Sequence, residues 1–466
     1  MNIRVFEEPR KLAFDPGSTN VFSSIETSLY AEDSAALPIR FIVSGPSKKP
    51  GMYDCEVGYL SGINSSEYPN PDSIFKFRKR KYKNQKQFNA VFMLPTGIDA
   101  EIGGHCGDAA PAARAIAAVC DNLVVHPNVV NAADINEMSE NMLYVEGSIL
   151  TRLMMGTVGI TPSKANRIMS VFHKHDEDEI WQNVINSVGA ARASGGFHCS
   201  PVCTVAHGVE GMQMNTHYAD SNRATGEVTG LELICNLIKQ NQSEVDAIAI
   251  STVVDVDEDS HDAYFQPPNS GCDQLEIPAN PYGGVEALLT HALTSIFNIQ
   301  TAHSPMYESV EQMNSEAGIV DPRKAADCVS VSYLHCIIKG LSKAPGIVTD
   351  TDLFGREGVM SVEDISCVIV PEGCLSLPVI AALHQGIAVI EVCDPNNTNL
   401  MKNRLDSLPW HEGKYFQASS YLEAAGITVA LREGLDITSC RRPLLETNIS
   451  IDENNYEEKN LELVAS

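Results

Sequence analysis

The residues best suited to chemistry begin in a glycine-rich segment at residues 94–108, with the sequence LPTGIDAEIGGHCGD. Its glycines are Gly97, Gly103, Gly104 and Gly107. Glycines between a strand and a helix let the backbone approach a ligand closely, and the first turn of the helix offers free N–H groups to an anion. The spacing matches neither GxGxxG nor a phosphate loop, so it does not predict a nucleotide site. We interpret the segment as a loop that binds a small ligand.

The end of this loop carries three reactive side chains. His105 is a possible acid or base, Cys106 is a thiol and Asp108 is a carboxylate. We predict catalytic roles for His105 and Asp108, because loops at the carboxyl ends of parallel strands are where sites collect. The alternative is a tight turn in which Asp108 only caps the following helix.

A second candidate follows the next predicted strand, in the segment VVHPNVVN at residues 124–131. His126 ends that strand at the same edge of the sheet as the glycine-rich loop, provided that the sheet is parallel. Asn128 comes shortly after it and is suited to bind a polar ligand. The alternative is ordinary turn chemistry around Pro127.

A third candidate combines glycines, a carboxylate and two histidines. Gly283 and Gly284 precede a predicted helix whose first turn holds Glu286, where an acid is favourable in any case. His291 is five residues further on, a poor spacing for sharing one helix face with Glu286. His303 ends the strand predicted after this helix, so we assign Glu286 and His303 to the site.

Cys374 lies in a Gly-Cys turn between a predicted strand and helix, in the segment VPEGCLSLP. A thiol at a helix N-terminus can have a lowered pKa and act as a nucleophile or base. The turn resembles the cysteine loops of the aspartate/glutamate racemase group. The alternative is a small residue packed under the loop.

Metal binding is a weaker possibility in two cysteine- or histidine-containing segments. The residues are His198, Cys199, Cys203, His207 and His217 in one segment, and His173 with His175 in the other. The spacing is not the CxxC…CxxC pattern of zinc sites, and Pro201 breaks any helix that would align these residues. We therefore assign no metal ligands, and the cofactor stays unknown.

The elements that must position these residues alternate between strand and helix from residue 89 onward. Buried strand-like runs, such as 88–94 and 247–254, are separated by helical segments, such as 111–120 and 286–297. The acids at 176–179 predict a helix start with a capping box between Asp176 and Glu179. This alternation predicts an α/β fold with a mainly parallel sheet and helices on both faces.

We predict three parts of the chain. Residues 1–88 hold short strand-like runs and form a small β-rich N-terminal domain, 89–446 form the α/β body, and 447–466 form a flexible acidic tail. The N-terminal part ends in a basic segment at 76–86. That segment is either an anion-binding patch or, as we prefer, a basic strand that faces an acidic body or a second subunit.

Composition limits the function. The chain has 466 residues, with 33 basic and 60 acidic side chains and a net charge of −27, which opposes nucleic acid and anionic membranes as partners. No apolar run is long enough to span a membrane. With no export signal, we interpret the 13 cysteines as reduced thiols and predict a cytoplasmic protein that acts on a small molecule. Self-association into a homo-oligomer is plausible.

Several segments together resemble one bacterial family catalogued as a domain of unknown function. The resemblance spans roughly residues 90–400, and its motifs are PTGI…GG…GDA, HPNV, YVEG, GGVEA…H, AHSP and GLSKAP. It implies one architecture from about residue 90 onward and brings no established activity. His105 and Cys106 depart from the family, which usually has an aromatic and a small residue there, and the alignment of the loop around Cys374 is not fixed.

Our hypothesis is an enzyme that acts on a small anionic metabolite by histidine–carboxylate acid–base chemistry, of the isomerase, lyase or hydrolase type. Amides after Gly103 and Gly104 would hold its carboxylate or phosphate. One alternative is a non-catalytic metabolite-binding or scaffold protein. Another is a zinc- or iron-dependent enzyme that uses segment 198–217.

Overall fold

The fold is known from a computed structural model of the whole chain. The residues that it describes are 2–32, 36–64, 66–68, 71–84, 86–105, 107–265, 279–314, 319–329, 333–374, 376–397, 399, 401, 403, 415–444 and 446–447. Cys106 and residues 448–466 of the predicted tail lie outside the described residues.

A six-stranded parallel sheet forms the centre of the α/β body. Its strands, in spatial order, are β17 (Tyr415–Ala418), β16 (Ala388–Val392), β15 (Ile365–Pro371), β4 (Asn89–Phe92), β5 (Asn122–Val125) and β6 (Met142–Tyr144). The strands are short and nearly all apolar, as expected for strands buried on both faces.

A second parallel sheet has four strands. In spatial order they are β13 (Gln300–Met306), β12 (Ala247–Val253), β8 (Arg167–His173) and β9 (His198–Val205). The predicted α/β class with parallel strands is thus confirmed, and the parallel strands are divided between two sheets.

The N-terminal region is β-rich, as predicted, and its sheet is antiparallel. In spatial order the strands are β10 (Gln213–Tyr218), β11 (Ala224–Thr229), β1 (Arg4–Ala13), β3 (Met52–Ser61) and β2 (Leu37–Pro46). Two of these strands come from the middle of the chain, because β1 pairs with β11. The antiparallel pair β7 (Gly159–Thr161) and β14 (Gly346–Val348) completes the strands of the described residues.

Helices connect and cover these sheets. They are α1 (Val21–Glu32), α2 (Ala110–Ala117), α3 (Gly147–Met154), α4 (Asp178–Gly195), α5 (Glu232–Asn241), α6 (Glu258–Phe265), α7 (Gly283–Phe297), α8 (Val310–Asn314), α9 (Ala325–Val329), α10 (Tyr333–Leu341), α11 (Leu377–Gln385) and α12 (Tyr421–Arg432). None of the helices within the described ranges is both long enough and apolar enough to cross a bilayer.

The six-stranded sheet is covered by helices on both faces, which its side-chain alternation explains. Phe92 and Ile369 face the apolar cluster that contains residues of α2 and α12. Val91 and Val368 point the other way, into a cluster with residues of α3 and α11. Successive strand residues point to opposite faces, so each strand contributes to both cores.

The start of α4 differs from the prediction. The residue that precedes the helix is Glu177, and its side chain makes no capping hydrogen bond. The predicted capping box between Asp176 and Glu179 is therefore wrong. Asp178 and Glu179 still lie in the first turn, where their charges favour the helix dipole.

The basic segment at 76–86 crosses the surface of the body without regular secondary structure in its described residues. Arg78 forms an ion pair with Glu363 at 2.9 Å, and the guanidinium of Arg80 donates to the backbone carbonyls of Ile365 and Gly386. It is an irregular strap rather than a strand. Its arginines bind the body of the same chain, as the preferred alternative expected.

Candidate functional site

A cavity of about 180 Å³ lies where the three large sheets meet. One wall is the edge strand β2, whose Ile42 forms an antiparallel bridge with Ser376 just before α11. A second wall is made by loops that follow strands of the six-stranded sheet, and the third is the first half of α7 with His303 of β13. The site is thus built from segments far apart in the sequence.

Many of the predicted site residues line this cavity. They are Gly97, Gly104, His126, Asn128, Gly283, Glu286, His303 and Cys374. The others lie behind its lining. They are Gly103, His105, Gly107, Asp108 and Gly284. We expected the site residues to meet at the rim of one sheet. They come from more than one sheet, because Glu286 lies on α7 and His303 lies on the four-stranded sheet.

Glu286 and His303 form the first histidine–carboxylate pair. Nδ1 of His303 lies 2.8 Å from Oε1 of Glu286, and Nε2 lies 2.7 Å from the hydroxyl of Thr252. The His303 side chain is only 1% exposed, whereas Glu286 is 17% exposed. The pair therefore presents its carboxylate to the cavity and keeps its imidazole behind. No protein group of the described residues bonds Oε2 of Glu286, so that oxygen is available to a ligand.

Glu146 and His291 form a second pair with the opposite orientation. Nδ1 of His291 lies 2.6 Å from Oε1 of Glu146, whose side chain is completely buried. This pair presents the imidazole, because its Nε2 faces away from Glu146 and has no protein partner in the described chain. A buried carboxylate on one ring nitrogen fixes the tautomer and leaves the other nitrogen free for proton transfer.

Glu146 is well suited to hold this imidazole. It precedes α3, where its Oε2 accepts hydrogen bonds from the backbone N–H and the hydroxyl of Ser148. Thr290 donates to its Oε1 at 3.1 Å. Burial by itself raises the pKa of Glu146, but the charge and hydrogen bond of His291 together with these donors bring it below its usual value. Glu146 is therefore ionised at neutral pH.

The spacing on α7 explains how Glu286 and His291 reach one cavity. Gly283, Glu286, Ala287, Thr290 and His291 all line it, and they follow the i, i+3, i+4, i+7, i+8 pattern of one broad helix face. Glu286 and His291 lie at the two flanks of that face. Our expectation that five residues is too poor a spacing for a shared face is therefore wrong for a cavity that wraps around the helix.

His126 supplies a third imidazole, of a different kind. Its Nε2 accepts a hydrogen bond from the backbone N–H of Leu94 at 3.0 Å, so the proton of the neutral ring is on Nδ1. Burial, followed by the charge of nearby His291, lowers the pKa of His126 to about 4. His126 is thus a neutral hydrogen-bond donor at physiological pH, suited to stabilise negative charge that develops on a substrate oxygen.

The two imidazoles approach each other over Gly147, the first residue of α3. A Cβ atom at Gly147 would lie 2.9 Å from Cε1 of His291 and 3.9 Å from Nδ1 of His126. The missing side chain therefore makes room for both rings. The YVEG segment places the carboxylate that orients His291 directly before the glycine that admits it.

The residues that make these contacts all lie in the part of the chain that matches one protein family. A family model described as "Protein of unknown function (DUF3326)" matches residues 89–441. The chain belongs to the DUF3326 family. It is also 30% identical over 356 residues, or 75% of its length, to an uncharacterized lipoprotein of Synechococcus sp., 92% of which is covered. No solved structure matches the chain. The family resemblance read from the motifs is thus confirmed, and it brings no activity with it.

Arg40 is the charged residue among the cavity-lining residues that precede the DUF3326 match. It lies on β2, before the matched range, and its guanidinium is 8% exposed. The ladder between β2 and β3 has a bulge between Pro38 and Arg40, and Gly58 of β3 leaves space beside Arg40. Bulges commonly re-aim a side chain next to a site. No periodic pattern in the sequence indicates this bulge, so Arg40 was missed.

Asp108 binds the backbone of the glycine-rich loop from the side that faces the protein interior. Its carboxylate accepts hydrogen bonds from the backbone N–H of Gly103 at 2.9 and 3.0 Å and from that of His105 at 3.3 Å. Burial raises the pKa of Asp108 to about 7, against the lowering effect of these bonds. The expectation that the amide after Gly104 holds a ligand anion is wrong, because this N–H, that of His105, is bound to Asp108.

His105 points into the protein. Its Nδ1 lies 3.0 Å from the hydroxyl of Tyr264, and the residue is 1% exposed. Burial lowers the pKa of His105 to about 3, so the ring is neutral. His105 is therefore placed as a core residue behind the loop, outside the lining of the cavity.

The glycines of the loop are needed chiefly for contacts within the chain. A Cβ at Gly104 would lie 2.2 Å from the backbone nitrogen of Ala100, and one at Gly97 would lie 2.6 Å from the carbonyl oxygen of Ala224. Asn128 closes the same loop by donating to the carbonyls of Leu94, Pro95 and Gly103. These residues shape the cavity wall.

Cys374 lines the cavity but is not activated. It is buried, and its thiol donates to the carbonyl of Glu372 at 3.6 Å. Burial raises the pKa of the thiol well above its usual value, as do the nearby carboxylates of Glu391 and Glu372. The expectation of a lowered pKa at this helix start is wrong, because desolvation exceeds the effect of the helix.

The segments considered for metal binding have other surroundings. His198, Cys199 and Cys203 lie on strand β9 rather than on a helix. Nδ1 of His173 accepts a hydrogen bond from the backbone of Val253, and its ring lies 4.7 Å from that of His207 at an angle of 38°. Across the part of the chain that the structure describes, no three histidine, cysteine or acidic side chains are grouped so as to hold a metal ion.

Proposed function

We propose that this DUF3326 protein is an enzyme that moves protons on a small anionic metabolite, with isomerase or lyase chemistry favoured. The observation that carries the proposal is the pair of histidine–carboxylate contacts with opposite orientation in one cavity. His291 presents an imidazole backed by Glu146, and Glu286 presents a carboxylate backed by His303. Two acid–base groups at one cavity can take a proton from one position of a substrate and return one elsewhere.

In this mechanism one acid–base group takes a proton from the substrate and the other returns one. The Nε2 atom of His291 or the Oε2 atom of Glu286 takes a proton from carbon next to a carbonyl or carboxylate. The Nδ1–H of His126 donates to the oxygen on which negative charge develops. The opposite acid–base group, which starts the cycle protonated, then returns a proton to carbon, or to a leaving group in an elimination. The buried partners Glu146 and His303 hold the two reacting groups in place.

The size and position of the cavity support a small substrate. Its volume of about 180 Å³ is below the ~300–1,000 Å³ that is typical of sites for drug-sized ligands. Arg40 supplies positive charge at its wall, which favours an anion.

The test is to incubate the purified protein with a bacterial metabolite extract and follow every small molecule by mass spectrometry. We expect at least one metabolite to be consumed by the wild type and spared by His291→Gln and by Glu286→Gln. His175→Gln and Glu308→Gln, which change the same residue types outside the cavity, should behave as wild type. Consumption that persists in both cavity variants would overturn the proposal.

Isotopic solvent separates the reaction types within that experiment. Deuterium from D₂O that appears on a product carbon indicates an isomerase or lyase, whereas ¹⁸O from labelled water without deuterium indicates a hydrolase. A metabolite that co-purifies with the wild type and is never converted indicates a binding protein. That last outcome would overturn the enzymatic proposal.

The location of the protein is also proposed. We infer a cytoplasmic location, because the cysteines that the structure describes are all free thiols, as is typical of a reducing compartment. The Synechococcus relative is named a lipoprotein, which points to the envelope for that protein. Fractionation of cells followed by immunoblotting tests the location, and recovery in the membrane fraction would overturn it.

A further inference from the structure

The guanidinium of Arg40 lines the cavity with most of its hydrogen-bonding capacity unused. Its one hydrogen bond among the described residues runs from Nη1 to Oε2 of Glu7, at 3.4 Å, which is long for such a bond. A guanidinium has five N–H donors in a planar fork. Arg40 is only 8% exposed and lines the cavity, so its remaining donors face the cavity rather than bulk solvent.

The neighbouring carboxylates of Glu7 and Glu56 also pair with a second arginine. Arg223 is fully buried and forms ion pairs with both Glu7 and Glu56. Glu56 also accepts hydrogen bonds from Ser44 and Ser221. Arg223 therefore competes with Arg40 for these two acids, and Arg40 keeps only its long contact with Glu7. A buried guanidinium with unused donors is costly unless an anion or water meets it.

We propose that Arg40 binds the carboxylate of a small carboxylic acid, which is the substrate of the acid–base site. That this acid is the substrate rests on the proposed function, whereas the binding of a carboxylate by Arg40 does not. The planar fork of arginine matches a planar carboxylate with two parallel hydrogen bonds. It also gives strand β2, which precedes the family match, a direct part in recognition.

A phosphate is disfavoured by two features of the site. The backbone N–H groups of Ile102, Gly103 and His105, which could have formed a phosphate cradle, are bound to Asn397 and Asp108. In addition, the carboxylates of Glu146 and Glu286 line the same cavity and repel a dianion more than a monoanion.

The cavity that Arg40 lines also has apolar side chains. They include Ile39, Phe41, Ile42, Ile74 and Met93. A ligand that places its carboxylate on the guanidinium therefore places the atoms beyond it against apolar side chains or toward α7. A short aliphatic chain fits this lining and the small volume, and it would bring the carbon next to the carboxylate toward the acid–base groups.

The probes are acetate, butanoate and hexanoate, with the corresponding primary amides as neutral controls and butyl phosphate as the competing anion. Binding is measured by saturation-transfer NMR and by calorimetry on the full chain. We expect butanoate to bind the wild type and its amide to bind far more weakly. Arg40→Gln should weaken butanoate binding by about 10–100-fold, because one charge-assisted interaction is lost.

Arg40→Lys is the second variant, which keeps the charge but not the fork, and it should fall between the wild type and Arg40→Gln. The matched control is Arg152→Gln, a buried arginine that does not line the cavity and binds Asn298. It should bind butanoate as the wild type does. Circular dichroism and thermal melting verify that each variant is folded.

Several results would overturn the proposal. They are equal affinity in the wild type and folded Arg40→Gln, equal affinity for acid and amide, tighter binding of butyl phosphate than of butanoate, or no binding of any acid by the wild type. His291→Gln and Glu286→Gln should keep carboxylate binding within a few-fold. Binding that depends on Arg40 without turnover in the metabolite assay would refute the proposed function and leave the carboxylate site standing.

Discussion

Glu286 and His291 lie on one broad face of α7, and each is paired with a residue from another element: His303 is 2.8 Å from Glu286, and Glu146 is 2.6 Å from His291. The pairs are arranged in opposite senses, so the cavity meets a carboxylate from one and an imidazole from the other. Since a single helix carries both reacting groups, their separation is fixed by the backbone of α7.

The Glu146 pair predicts a pH dependence of stability. The pKa of Glu146 is lower in the folded protein than its usual value. Between these two values the unfolded chain binds more protons, so stability rises with pH. The contribution is complete above the unfolded pKa and is lost as pH falls through the folded one. Glu146→Gln should therefore reduce the free energy of unfolding by about 1.5–3 kcal/mol at pH 7 and by less at acidic pH.

Urea unfolding of the wild type and Glu146→Gln at pH 7, 5.5 and 4 tests this. Glu308→Gln, which removes an exposed carboxylate outside the cavity, is the control and should differ little from the wild type at any of these values. A stability difference for Glu146→Gln that stays constant or grows toward acid pH would show that Glu146 is not held as an ion-paired carboxylate.

The glycines predict a contrast in stability between two Gly→Ala changes. At Gly104 a Cβ would lie 2.2 Å from the nitrogen and 2.3 Å from the oxygen of Ala100, both backbone atoms. At Gly189, in the middle of α4, no atom lies within 4 Å. Gly104→Ala should cost about 1–3 kcal/mol or more by overpacking, whereas Gly189→Ala should gain about 0.5–1 kcal/mol from helix propensity.

Thermal melting of the two alanine variants beside the wild type measures both effects. The melting temperature should fall for Gly104→Ala and rise slightly for Gly189→Ala. An unchanged melting temperature for Gly104→Ala would mean that the loop can open around this position, and that its close approach to Ala100 is not required by the fold.

A site residue could be predicted from the sequence where a local pattern places its side chain at the cavity, and could not where tertiary geometry does so. His126, Glu286 and His303 could be predicted, because site residues collect at the carboxyl ends of parallel strands and at the starts of helices. Glu146 had a signal in the YVEG segment: a carboxylate after a strand and before a glycine. Arg40 had none, since a bulge in β2 and the space over Gly58 direct it to the cavity.

The wrong expectations share one physical cause. Asp108 and His105 have residue types suited to catalysis, and their loop does border the cavity. Which way a loop side chain points depends on which backbone groups need partners. Here the amides of the glycine-rich loop need an acceptor, and Asp108 supplies it from the inner side. The same burial raises the pKa of Cys374 instead of lowering it.

Cysteine reactivity gives a direct chemical prediction. Only the thiolate reacts quickly with iodoacetamide, and burial keeps Cys374 protonated. Cys440 is exposed. In the native protein at pH 7.5, Cys440 should be alkylated early and Cys374 late, as measured by digestion and mass spectrometry over time. Urea should remove the difference. Rapid alkylation of Cys374 in the folded protein would restore it as a candidate nucleophile.

The last prediction concerns His126, whose neutral ring donates from Nδ1 while Nε2 accepts from Leu94. Glutamine can copy both roles with its carbonyl oxygen and its amide N–H, whereas leucine can copy neither. Once a metabolite is identified, His126→Gln should lose about 10-fold in turnover and His126→Leu about 10²–10³-fold, the cost of removing a donor to a developing negative charge. Melting curves of both variants separate this effect from lost stability. Equal losses in two folded variants would mean that His126 does not act as a hydrogen-bond donor.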